Sequence, residues 1–121
     1  MKPEDFVNRL KNSVLDEAME FYIETLNTKD IPDNTIQYWK DALYLFKKLE
    51  KKEQKILLSI IQQTIIDTTN TILGIIDGST SLDKEQGNFC LKYIDKNDKE
   101  VVIGSNLLAD FCALLDQENK N

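Results

Sequence analysis

Histidine is absent from the chain, and arginine occurs once, as Arg9. The first absence removes the usual general base, the commonest metal ligand and the usual pH switch together. The second nearly removes the guanidinium fork suited to phosphate and carboxylate recognition. Glycine (4) and proline (2) are scarce. An all-β sandwich or barrel needs many turns, so this scarcity favours long helices. Cysteine is limited to Cys90 and Cys112. The first residues, Met1 to Asp5, lead directly into an amphipathic pattern without the apolar core of a secretory signal. Two free thiols and a cytoplasmic location are the expectation.

Length and composition set the scale. With 121 residues, 41% apolar and 30% charged, the chain has the size and make-up of one domain that buries its own core without staples. Its net charge of −6 argues against general binding to nucleic acid or to an anionic membrane surface, because phosphate affinity requires clustered cations. The charge is uneven. Residues 40–55 are net basic and both flanks are net acidic. The most apolar stretch, Ile56 to Ile76, is interrupted by Gln62, Gln63, Asp67 and Asn70. Polar groups at the centre of a membrane span are costly, which argues against one here.

Periodicity predicts a mainly α fold, a bundle of three long helices and a shorter C-terminal helix, with one β-hairpin inserted before the last. Residues 3–27 carry Val7, Leu10, Val14, Ala18, Phe21 and Tyr22 at helical spacing, with Pro3, Glu4 and Asp5 in the first turn. Asp33 is the expected cap of a second helix, 34–50, built on Ile36, Trp39, Leu43 and Phe46, with lysines from Lys47 to Lys55 near its C-terminus. A third helix, 52–76, has Leu57, Ile61, Ile65 and Ile72 on one face and Leu58, Ile66, Leu73 and Ile76 on another. Apolar residues around so much of its circumference place it centrally. A homodimer is one way to cover any face left over. Asp77-Gly78 reads as its stop, and Ser79 to Asn88 as loop.

Strand alternation then appears at Phe89–Ile94 and Val101–Ile103, around a turn at 95–98 in which Asn97 or Asp98 tolerates positive φ. Ser105 is the expected cap of a last helix ending near Gln117, with a fraying tail from Glu118. The whole of 1–121 reads as a single domain: three helices over 1–78, loop and hairpin over 79–104, and the last helix over 105–117. The expected core comprises Leu10, Val14, Phe21, Trp39, Leu43, Phe46, Ile61, Ile65, Ile72, Phe111 and Leu115.

Three groups of polar residues invite a functional reading. Asp67-Thr68-Thr69-Asn70 is a polar island in the apolar third helix, and Asp67 and Asn70 are binding candidates if the island lines a cleft. Mid-helix threonines also bond back to their own previous turn, which gives the island a purely structural explanation. Asp16, Glu17, Glu20 and Glu24 form an acidic face. A di-metal bundle would add Glu-x-x-His motifs from partner helices, and no histidine exists. Asp95–Glu100 lacks the central glycine of a calcium loop, and Asp77–Ser81 lacks the P-loop spacing. No acid, base, nucleophile and binding loop assemble from these residues, so no enzymatic activity, cofactor or metal is expected.

The segments I-D-T-T-N-T-I-L (Ile66–Leu73) and I-I-D-G (Ile75–Gly78), followed by loop, hairpin and short helix, resemble small uncharacterised bacterial helical proteins, some encoded beside toxin genes. The resemblance covers about half of the chain and carries no catalytic motif. It implies a protein-interaction domain, most concretely an immunity or antitoxin-type inhibitor of a basic toxin. Asp16, Glu17, Glu20 and Glu24 would supply the charge, and Tyr22 or Tyr38 the anchors. The alternatives are a small-molecule-binding domain using the Asp67–Asn70 island and a structural subunit of an assembly.

Overall fold

The computed structural model describes residues 1–82 and 87–119. Part of the expected 79–88 loop and the last two residues lie outside that set. Four helices and one hairpin make up the fold among the described residues. The first helix is a continuous rod of three parts: α1 (Pro3–Lys11), a π-helical segment (Asn12–Glu17) and α2 (Ala18–Leu26). α3 (Gln37–Lys48) and α4 (Lys51–Asp77) follow, then strands β1 (Lys92–Ile94) and β2 (Glu100–Val102), and α5 (Leu107–Asn119). No helix is long and apolar enough to cross a membrane among the described residues.

The π segment rewrites the first helix's inner face. A wide turn holds an extra residue, so the apolar stripe slips in phase beyond it. Leu15 is buried where Val14 is half-buried, and Tyr22 turns inward while Phe21 is 52% exposed. Phe21 is therefore not a core residue. The same widening sets side chains five apart against each other. Lys11 bonds Asp16 at 2.8 Å, and the Asn12 amide donates to Glu17 at 3.2 Å.

The main core forms where α1, the C-terminal half of α4, the hairpin and α5 meet. Val7, Leu73, Ile103, Leu107 and Phe111 are buried there, with Phe6, Leu10, Ile76 and Leu115 packed around them. Leu15, Leu26, Leu43 and Phe46 are also buried. Of the remaining expected core residues, Trp39, Ile61 and Ile65 are half-buried. Ile72 is 53% exposed, because Leu73 takes the inward position against α5. α4 thus serves two sets of partners: α2 and the π segment along part of its length, and α5 elsewhere.

The element ends differ from the expected ones for local reasons. A turn closed by the Thr35 N–H on the Pro32 carbonyl (3.0 Å) delays α3, so Ile36 rather than Asp33 precedes its first residue. α3 stops at Lys48 because Leu49 and Glu50 are extended. The break is sealed twice. The Glu50 N–H donates to the Glu53 carboxylate at 2.9 Å, and the Gln54 amide donates to the Phe46 carbonyl at 2.8 Å. Lys51, Lys52 and Lys55 consequently sit at the N-terminal end of α4, where the helix dipole disfavours cations. Only Lys47 and Lys48 complement the end of α3.

The α4 stop at Gly78 is as expected, with φ +83° in the left-handed region and its N–H on the Ile75 carbonyl at 3.2 Å. The hairpin is shorter than the alternation implied. Lys92 pairs with Val102 and Ile94 with Glu100, while Ile103 extends the ladder through its N–H to the Leu91 carbonyl. Asp98 takes positive φ (62°), and the Asp95 carboxylate accepts the N–H groups of Asn97 and Lys99.

Ser105 does not cap α5. That role falls to Asp77, whose carboxylate accepts the Leu108 N–H at 2.7 Å across the fold. The acid thus leaves the unfavourable negative end of its own helix for the positive end of another. Replacing it as Asp77→Ala should cost about 0.5–2 kcal/mol, the range for a lost N-cap. Asp77→Asn, which keeps an acceptor, should cost less. Urea denaturation of the three proteins ranks them.

α5 continues through Asn119, and Glu118 is not part of a tail: its carboxylate accepts the Lys11 ammonium. Both cysteines are free, Cys90 exposed and Cys112 half-buried.

Candidate functional site

The acidic residues of the first helix separate into two kinds. Asp16 is engaged by Lys11, and Glu17 by Asn12. No partner reaches the carboxylates of Glu20 and Glu24 among the described residues, and both are exposed. Glu17, Glu20, Phe21 and Glu24 follow one another at the three- and four-residue spacing that places them on one helix face. The exposed Phe21 ring is therefore flanked by carboxylates.

Phe21 opens a run of aromatic rings between α2 and α3. Its ring meets Tyr22 at 5.7 Å and Trp39 at 5.7 Å, both edge to face. Trp39 lies 6.1 Å from Tyr22 and 5.1 Å from Tyr38. These separations are those of favourable aromatic pairs. Tyr22 and Trp39 are half-buried, whereas Tyr38 is 63% exposed. The two tyrosines singled out in the sequence thus stand on either side of one tryptophan. No tyrosine hydroxyl here makes a hydrogen bond among the described residues. Apolar spacing placed Phe21 in the core, whereas it is exposed, and carried no sign that Trp39 meets three other rings. A π segment that turns Phe21 outward leaves no signature in hydrophobic spacing.

The polar island is dispersed around α4. Asp67 is exposed and accepts the Gln63 amide at 2.8 Å. Thr69 is buried and returns its hydroxyl to the Ile65 carbonyl at 2.7 Å, while Thr71 bonds back to the Asp67 carbonyl at 3.0 Å. Asn70 is half-buried and accepts the Cys112 thiol at 3.8 Å. Asn70 also borders a groove of about 300 Å³ between the π segment, α4 and α5, with Leu15, Ile66 and Leu115 as apolar lining and Asp16, Asp116 and Glu118 as acids. Asp67 is not among the residues that line it. The groove brings together one member of the acidic face and one of the island.

One ammonium stands beside this groove. Lys11 is only 7% exposed, and its Nζ is held by Asp16 and Glu118. Burial pulls its pKa down, but the hydrogen bonds and charges of the two carboxylates outweigh that and hold it above the ordinary 10.5. No cluster of three or more acids or cysteines is arranged to hold a metal ion among the described residues. Comparison of the chain with protein-family profiles, with curated proteins and with solved structures returns no match.

Proposed function

We propose that this protein is a non-enzymatic interaction domain that binds a basic protein through the α2–α3 aromatic face. The immunity or antitoxin-type inhibitor of a cationic toxin is its most concrete form. The observation that carries the reading is the convergence of Phe21, Tyr22, Tyr38 and Trp39 beside the exposed carboxylates of Glu20 and Glu24. Tyrosine and tryptophan are the side chains that most often dominate binding energy at interfaces. Carboxylates around them steer a cationic partner and raise its association rate. Aromatic faces also attract the lysine and arginine side chains that such a partner presents. Inhibition by occlusion needs no catalytic group, and action on an intracellular toxin fits a cytoplasmic location with free thiols.

Trp39 is the sole tryptophan and lies in the proposed contact, so its fluorescence reports on docking directly. The test begins with affinity capture from the native cell at low and high salt. Titration of the captured protein against the wild type and against a Glu17→Gln/Glu20→Gln/Glu24→Gln variant follows. A basic partner should shift Trp39 emission, elute with salt, and bind the triple variant about tenfold more weakly, as loss of about 1.4 kcal/mol of electrostatic attraction implies. Co-expression should neutralise its toxicity. A co-purifying metabolite in place of any protein would instead favour the second reading, a small-molecule site in the groove bordered by Asn70.

A further inference from the structure

Within the chain, the principal contact of α3 is with α2, and that contact uses only one side of the helix. Leu43 and Phe46 are buried, whereas Tyr38, Tyr44 and Leu45 are 63%, 62% and 52% exposed. Tyr38, Asp41, Tyr44, Leu45 and Lys48 recur at intervals of three and four. This places them in one stripe along the outer face, with the periodicity of a helix–helix seam. Three large apolar side chains in one stripe are more than scattered surface hydrophobics. The charges in the stripe are one acid and one base, placed either side of Tyr44 and Leu45.

We propose that this stripe is the contact between two copies of the chain, with the α3 helices antiparallel about a two-fold axis between Tyr44 and Leu45. A two-fold contact must be self-complementary: if one residue meets a second, the second meets the first. This register satisfies that condition from Asp41 to Lys48, with Tyr38 one turn beyond the paired segment. Tyr44 of each copy meets Leu45 of the other, and Asp41 of each meets Lys48 of the other, so the apolar pair is central and two ion pairs flank it. Shifting the register so that Asp41 lies on the axis brings like charges together. Among the described residues, the side chains of this stripe are exposed and their polar groups remain able to pair. Asp41 uses one carboxylate oxygen on the Gln37 amide at 2.8 Å and keeps the other. Lys48 already lies over its own Tyr44 ring, 4.0 Å from the centroid, so its ammonium stands at the seam. A partner of unrelated sequence would give no reason for the acid and the base to be placed symmetrically about the apolar pair. The contact is separate from the proposed basic-partner face except at Tyr38.

The closing experiment is sedimentation equilibrium on the whole chain and on Leu45→Glu, Asp41→Lys and the double exchange Asp41→Lys/Lys48→Asp. A single helix pair is a small interface of the weak class, so the series runs to about 500 µM. The expected result is a wild-type monomer–dimer equilibrium, monomeric Leu45→Glu and Asp41→Lys proteins, and a double exchange that dimerises again. Circular dichroism should be unchanged in all four, because the three positions are exposed. A wild type that stays monomeric throughout overturns the proposal. So does a dimer indifferent to Leu45→Glu, or a double exchange that remains as monomeric as Asp41→Lys.

Discussion

Truncating Phe111 to alanine should cost about 3–5 kcal/mol, the range for deleting a buried phenylalanine and leaving its cavity behind. The ring is fully buried and belongs to the cluster that joins α1, α4, the hairpin and α5. Among the described residues this cluster is the one that ties these four elements together, so the surroundings close over the gap only by moving a helix. Domains of this size are stable by about 5–15 kcal/mol in total, and the variant should lose much of its margin. Ile72→Ala is the matched control. Ile72 lies on the apolar stripe of α4 but is 53% exposed, so its loss should fall within about 0.5 kcal/mol of the wild type. Urea denaturation of both variants distinguishes a core centred on Phe111 and Leu73 from one that runs along the whole third helix.

Replacing Lys11 should be the next most damaging change. Its ammonium makes charged hydrogen bonds to Asp16 and Glu118 and joins the first helix to the last. Hydrogen bonds to charged groups contribute about 1.5–3 kcal/mol. Both carboxylates are about half exposed, at 47% and 50% of their side chains, and can be rehydrated when the lysine is gone. Lys11→Ala should therefore cost about 2 kcal/mol, towards the lower part of that range. Lys11→Met, which keeps an apolar stem of similar length, should lose less.

The pH dependence has a fixed sign. The folded-state pKa of Lys11 lies above the ordinary 10.5. The stabilisation is therefore fully present below pH 10.5 and disappears as pH rises through the folded value. The stability difference between wild type and Lys11→Met should be flat from neutral pH to about 10 and narrow only above 10.5. A difference that narrows between pH 7 and 9 would contradict the ion-pair geometry.

Much of the architecture was legible in the sequence. Scarce glycine and proline, together with apolar spacing of three and four, are local properties, and they yielded the helices. Gly78 and Asp98 are where a stop and a turn were expected, because left-handed backbone is tolerated by so few residue types. The absence of histidine likewise needs no coordinates to narrow the chemistry.

What tertiary structure decided lies beyond the reach of local pattern. The π segment moved Phe21 from the expected core to the surface and Leu15 inward, because one extra residue in a turn shifts every later side chain in phase. The break at Leu49 and Glu50 has no glycine or proline to announce it and depends on side-chain bonds from Glu53 and Gln54. Asp77 caps a helix whose first turn lies 31 residues away, and Lys11 pairs with Glu118 across 107 residues. The meeting of Tyr22, Tyr38 and Trp39 is of the same kind, since it joins two helices across a turn. Spacing along a chain records which side chains share a face. Which faces meet is decided only when burial of Leu73, Leu107 and Phe111 fixes the helices against one another.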